Sequence, residues 1–291
     1  GAMIASPLSV WLMQYFSSPT DVGVMGTFIT MGLIYMAFMM VGATIVRVPP
    51  EGWAPEGYVA PAQPKKLVTT SHVHVDEALK TPQFYLLWGV LCLNVTAGIG
   101  VLGQASAMSQ EMFPGQITAA AAAGFVGLLS LFNMLGRFFW ASTSDYIGRR
   151  NTYMIFFALG MALYAAVPWT GEIGSIVLFV LFYCVIMTMY GGGFATIPAY
   201  LRDVFGVRYV GAIHGRLLTA WSTAGVLGPV LVNYIREYQI NAGVPKADAY
   251  SVTMYIMAGL LLVGFILNWL MHPVDKKHHM TEAELKASME G

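Results

Sequence analysis

The stretch Gly136-Arg-Phe-Phe-Trp-Ala-Ser-Thr-Ser-Asp145-Tyr-Ile-Gly148-Arg-Arg150 carries the chain out of one apolar run (117–141) and, within a few charged residues, into another (152–169). An α-helix needs roughly 20 predominantly apolar residues to cross a hydrocarbon layer, and both runs meet that demand. Gly148 permits a tight turn, and Asp145 is placed to cap the following helix or to complement the partial positive charge at its start. Arg149 and Arg150 can pair with Asp145 or with neighbouring helix ends. An ordinary charged turn that obeys the positive-inside rule would carry the basic residues alone. Asp-x-x-Gly-Arg-Arg between two spans is far more specific than that.

The composition around this turn is that of a membrane chain. Hydrophobic residues make up 57% of the 291 positions and charged residues 10%, against about 25% charged in a soluble domain. The formal net charge is zero, so there is no basic stripe to neutralise nucleic-acid phosphates. Cys92 and Cys184 sit inside apolar runs without CxxC spacing, which excludes a disulfide framework or a zinc site. The histidines form no metal-ligand spacing either: His72 and His74 lie in a polar loop, and His272, His278 and His279 follow the last apolar run. No cofactor motif is present.

Apolar runs of spanning length cover approximately 23–46, 84–105, 117–141, 152–169, 175–199, 211–234 and 251–270. They lack the alternation of strands and are too long for them. Residues 1–16 read as the end of a further apolar helix, kinked at Pro7, so the sequence reads as a fragment with its upstream part outside it. One long polar insert, 47–83, opens with prolines that forbid regular helix; Asp76 to Lys80 suits a short surface helix. Lys and Arg are asymmetric between alternate loops. Arg47, Lys65, Lys66, Lys80, Arg149, Arg150, Arg202, Arg208, Lys276, Lys277 and Lys286 stand against Arg236 and Lys246. The insert and the tail are therefore expected to face the cytoplasm.

Arg137 is the leading candidate for chemistry. It lies eight residues before Asp145, hence about 12 Å along the helix axis from the turn. A cation in a span costs about 2.5–3.5 kcal/mol on insertion scales and faces a cavity or a partner. No acidic residue within the predicted spans pairs with it, so a substrate carboxylate held in the two-pronged guanidinium fork would fill the role. The competing reading is that Arg137 snorkels to the membrane surface. Asn133 is one turn earlier on the same face and can add a hydrogen bond. Tyr190 and Phe194, one turn apart, flank Gly191-Gly-Gly193, which suits either close helix contact or bending; simple packing explains them equally. Asn94 and Thr96 are polar groups that need partners in a dry setting; Asn94-Val-Thr96 also spells a glycosylation triplet, idle inside a span.

The turn resembles the Gly-x-x-x-Asp-x-x-Gly-Arg-Arg loop of the major facilitator superfamily, with Ala141 in place of the first glycine. Pro49-Pro-Glu-Gly-Trp53, Thr81-Pro-Gln-Phe-Tyr-Leu-Leu-Trp88 and Asn94-Val-Thr-Ala-Gly-Ile-Gly100 are similar, more narrowly, to the oxalate/formate antiporter family. The resemblance covers nearly the whole chain. It implies an all-α major facilitator fold, present in part: 1–16 the end of helix five, 23–46 helix six, the rest helices seven to twelve. It divides the chain into the end of an N-terminal half (1–46), a cytoplasmic central loop (47–83), a six-helix bundle (84–271) and a cytoplasmic tail (272–291).

The same resemblance implies that Asp145, Gly148, Arg149 and Arg150 latch a cytoplasmic gate, and that an arginine of helix eight, matched by Arg137, binds the anion. Aromatics of helix ten, here Tyr190 and Phe194, would enclose it. In the oxalate carrier helix eleven supplies a lysine; alignment through Leu217-Leu-Thr-Ala220 and Pro229 puts Trp221 there. One cation answers one carboxylate, which favours a monocarboxylate such as formate, lactate or pyruvate over oxalate. His214 and Arg216 lie earlier in that helix; they could stand in for that lysine, but their place nearer the cytoplasmic end assigns them to the gate.

The expectation is a secondary transporter of small carboxylates in the cell (inner, plasma) membrane, working by exchange through alternating access. Its partners would be a small organic anion, the lipid bilayer and the missing N-terminal helices. Proton-coupled monocarboxylate symport is the rival within transport. A seven-helix receptor or sensor is the rival outside it, disfavoured by the Asp-x-x-Gly-Arg-Arg turn and, for a retinal sensor, by the lack of a lysine in any span. A membrane enzyme is less well supported still, since no nucleophile, base and orienting residue converge.

Overall fold

The computed structural model describes residues 2–47, 53, 56 and 68–285. Most of the central insert and the last six residues lie outside the described residues, and the sequence expectations for them stay there. Among the described residues, seven helical segments are long and apolar enough to cross a membrane. The chain forms two compact units, 1–63 and 64–291.

The first unit holds α1 (Ala2–Phe16, with Pro7 inside it) and α2 (Val24–Ile45). Between them the Asp21 carboxylate accepts the Gly23 amide at 2.9 Å.

The second unit holds the short α3 (Val75–Ala78) and then α4 (Pro82–Met112), α5 (Ala119–Ile147), α6 (Arg149–Glu172), α7 (Ile176–Phe205), α8 (Val210–Leu217), α9 (Thr219–Asn241) and α10 (Ser251–Trp269). Local chemistry sets their ends. Pro82 opens α4, where a missing amide N–H costs nothing. The hydroxyls of Thr118 and Ser175 accept the amides of Ala121 and Leu178 at the starts of α5 and α7. Leu218 alone separates α8 from α9, and the two read as one span, Val210–Asn241.

The bundle pairs α5 with α7, α4 with α9, and α6 with α10. Small residues make the close crossings, as expected where lipid supplies no hydrophobic drive. A methyl group at Gly136 of α5 would fall 2.2 Å from the Thr188 carbonyl oxygen of α7, and one at Gly191 of α7 would fall 2.0 Å from that of Asn133. Likewise a methyl at Gly228 of α9 would fall 2.7 Å from the Thr96 carbonyl oxygen of α4. Buried phenols satisfy themselves internally: Tyr153 donates to the Gly193 carbonyl (2.6 Å), Tyr164 to that of Ala97 (2.7 Å), and Tyr200 to Asn268 Oδ1 (3.1 Å).

Three expectations need correction. The helices run past the predicted spans, so acidic residues do lie within them: Glu111 in α4, Asp145 in α5, Glu172 in α6, Asp203 in α7 and Glu237 in α9. Arg149, Arg150, Arg202 and Arg236, assigned to loops from sequence, are helical too. A helix continues beyond the hydrocarbon until a cap stops it, and apolar run length does not see that part. Asp145 does not cap α6; it sits in the last turn of α5, and Gly148 at φ 88° makes the junction.

Candidate functional site

Arg137 projects from α5 toward α7 and stacks on an aromatic wall. Its guanidinium carbon is 5.0 Å from the centroid of the Phe194 ring. Phe194 meets Trp221 of α9 edge-on at 4.8 Å, and Tyr190 lies against the same indole at 5.9 Å. Tyr190 is fixed from behind by Gly98 of α4, where a methyl would fall 2.1 Å from its ring. Asn133, one turn before Arg137, turns its carbonyl and side-chain oxygen toward Gly191. Thus Arg137, Asn133, Tyr190, Phe194 and Trp221 come together from three helices.

Among the described residues no carboxylate forms an ion pair with Arg137, and the side chain is exposed in the chain as it stands. An aromatic face attracts a cation but leaves its N–H groups available. The arrangement can therefore offer a charged, planar donor to an anion while three rings shape the space beside it.

A small cavity of about 20 Å³ lies behind Tyr190, lined by Asn94, Gly98, Tyr164 and Tyr190 among others. Thr96 donates back to the Cys92 carbonyl at 2.7 Å. The expected partner for Asn94 is not there: its amide nitrogen is buried and has no hydrogen bond among the described residues.

The Asp145 to Arg150 turn builds a second cluster. Arg149 is buried; it donates to the Asp145 carboxylate and the Ser144 hydroxyl, and its Nε lies 3.8 Å from Asp203 Oδ2 on α7. Arg150 reaches the other way, donating to the Asn268 and Trp269 carbonyls at the end of α10, while Asn268 Nδ2 donates back to the Arg150 carbonyl at 2.9 Å. Arg216 lies apart from Arg137 and pairs with Asp76 of α3 at 2.8 Å.

Asp203 and Asp76 did not stand out in the sequence, because Arg149 and Arg216, which they meet across the bundle, come from distant elements. A third cluster was also missed: Glu111 of α4 accepts both prongs of Arg236 of α9 and the Tyr250 hydroxyl at 2.7 Å. Two long helices ending in opposite charges would have been the only signal.

The charged turn, the close glycine crossings and a basic residue on an aromatic wall are the features of a polytopic membrane helix bundle. The sequence profile of the Major Facilitator Superfamily matches residues 1–229, and the chain belongs to that superfamily. Over 206 residues it is 29% identical to the oxalate:formate antiporter of Oxalobacter formigenes, covering 71% of this chain and 46% of that protein. It is 24% identical to the uncharacterised MFS-type transporter YhjX of Escherichia coli K12, covering 67% of this chain and 45% of that protein. The chain thus spans about half the length of these relatives. Among solved structures, it is similar to a bacterial homologue of the human lysosomal transporter Spinster, inward-facing and unoccupied. The TM-score is 0.59 at 14% identity, covering 97% of this chain and 66% of that one.

Proposed function

We propose that this chain is the C-terminal part of a secondary transporter that exchanges small carboxylate anions across the cell (inner) membrane by alternating access. The observation that carries the reading is the guanidinium of Arg137, stacked on Phe194 with no acidic partner among the described residues. The similarity to an oxalate:formate antiporter supports an anion as cargo. In this reading Asn133 assists Arg137, and Tyr190, Phe194 and Trp221 enclose the substrate. With Trp221 in the wall and one cation in the site, a monocarboxylate such as formate, lactate or pyruvate fits better than a dicarboxylate.

The end of the bundle bearing the Asp145–Arg150 turn, the central loop and the tail then faces the cytoplasm, where Lys and Arg concentrate. Asp145, Gly148, Arg149 and Arg150 hold that end closed, and Arg216 joins them through α3. Exchange of one carboxylate for another needs no titrating group. Counterflow of radiolabelled formate or lactate into vesicles holding the full-length carrier, without a proton gradient, tests this. Absence of counterflow together with pH-driven accumulation would select the rival.

That rival, proton-coupled monocarboxylate symport, gains one specific observation: a carboxylate, Glu111, does lie within a spanning helix. It is, however, held by Arg236 and Tyr250. Both of its carboxylate oxygens are engaged by these donors, which makes it a poor proton carrier. Glu111→Gln should leave exchange within about twofold of wild type, a change under about 0.5 kcal/mol; loss of pH-driven uptake in that variant would select symport instead.

A further inference from the structure

The segment after α10 does not trail away from the bundle. It lies on the strip of chain that leads into α3. Val73 and His279 form an antiparallel bridge, and the Met280 amide donates to the His72 carbonyl at 2.8 Å. His278 Nδ1 lies 3.2 Å from Glu77 Oε2. Gln83, at the start of α4, donates to the carbonyls of His272 (3.3 Å) and Pro273 (3.0 Å).

The strip in turn is fastened to the charged cluster at that end of the bundle. The Thr69 amide donates to the carbonyl of Asp203 at 2.8 Å, and the Val73 amide to that of Phe205 at 3.0 Å. Arg216 holds the Val75 carbonyl (3.2 Å) and the Asp76 carboxylate, and the His74 ring packs on Tyr209 at 4.8 Å. Gly206 lets the strip approach: a methyl there would fall 2.3 Å from the Ser71 carbonyl oxygen, at a φ of 83° that disfavours side chains anyway. Asp203, whose backbone receives the strip, is the residue whose side chain approaches Arg149. Tail, strip and turn cluster therefore form three stacked layers, and the middle one touches both.

We propose that the tail is a proton-sensitive clasp: while His279 is neutral it pins the strip against the turn cluster, and protonation of His279 releases it. His279 sits in the bridge with its Nε2 buried and without a hydrogen-bond partner among the described residues. Charging a ring so placed leaves an unanswered donor and an uncompensated charge.

The surroundings set the direction. On the tail, burial and then Lys276 hold the His279 pKa below its ordinary value, with Asp275 acting against them and His278 with them. Glu284 on the tail faces His74 and Glu77 on the strip. From the α7–α8 turn, the Arg208 amide lies 3.5 Å from His72 Nδ1. Glu77 on α3 faces His278 from the tail and Lys80 from its own side. The buried Nε2 of His279, without a hydrogen-bond partner among the described residues, sets the sign. A histidine whose pKa is depressed in the docked state favours docking above its free value of about 6.5 and opposes it as pH falls below that.

The link to gating rests on the transport reading above, but docking itself does not, so the experiment separates them. Hydrogen exchange of the Met280 and Val73 amides is measured in the full-length carrier in nanodiscs between pH 7.5 and 5, corrected for intrinsic rates. Wild type should lose protection as pH falls below the free histidine value, by at most about tenfold per pH unit. His279→Gln, neutral throughout, should keep its protection at pH 5, and His279→Lys should have lost it already at pH 7.5. Counterflow of labelled formate at pH 7.5 should run at least twofold faster in His279→Lys than in wild type.

The clasp is overturned if wild type keeps its protection at pH 5, or if His279→Gln loses it as wild type does. Protection lost in His279→Lys with unchanged counterflow would overturn the coupling to the gate. Counterflow absent from wild type would sink the transport reading while the exchange data still judge the clasp. A size-exclusion profile matching wild type confirms that each variant is folded.

Discussion

The guanidinium carbon of Arg137 stands 5.0 Å from the centre of the Phe194 ring, and Phe194 stands 4.8 Å from Trp221. One cation, presented by α5, is thus backed by a ring from α7 and bounded by an indole from α9. That relationship yields a chemical prediction about selectivity.

Replacing Trp221 with lysine places a second cation near the first at the cost of one ring. A hydrogen bond to a charged group contributes about 1.5–3 kcal/mol, or about tenfold to a hundredfold. In the full-length carrier, Trp221→Lys should shift the ratio of oxalate to formate exchange toward oxalate by at least about tenfold. Competition of unlabelled oxalate against labelled formate measures it. An unchanged ratio would mean that Trp221 does not face the anion.

The α5–α7 crossing that carries Arg137 to Phe194 depends on Gly136, where a methyl group would meet the backbone of Thr188. Gly136→Ala should destabilise by about 1–3 kcal/mol through overpacking and displace Arg137, lowering both melting temperature and transport. At Gly127 of the same helix a methyl group would have nothing within 4 Å. Gly127→Ala should therefore be neutral or gain up to about 1 kcal/mol from helix propensity. Equal effects at the two sites would refute the close crossing.

At the turn cluster the two acids around Arg149 differ in exposure: Asp203 is 12% exposed and Asp145 65%. Screening by water weakens the outer pair. Asp203→Asn should cost about 1–3 kcal/mol in thermal stability, while Asp145→Asn stays within about 0.5 kcal/mol of wild type. The reverse order would show that the turn is held from the α5 side alone.

Helix type was legible throughout the sequence, because seven apolar runs leave no alternative to spanning helices. Helix ends were not. Apolar content stops where the hydrocarbon would stop, yet α4 runs on to Met112 and α9 to Asn241, which brings Glu111 and Arg236 into one ion pair. The grouping of Arg137, Tyr190, Phe194 and Trp221 could be read from helical spacing and family resemblance. Asp203 with Arg149, and Asp76 with Arg216, could not be read, since nothing local marks a carboxylate whose partner lies on another helix. Asn94 is different again: sequence demands a partner for it, and the described residues supply none.

The proposed anion transport stands or falls on Arg137. A bidentate guanidinium–carboxylate contact of about 3 kcal/mol corresponds to about a hundredfold in affinity. Counterflow of labelled formate by full-length carrier in vesicles should therefore fall by at least about a hundredfold in Arg137→Gln, with the protein still folded and inserted. Counterflow equal to wild type in that variant would contradict the anion site.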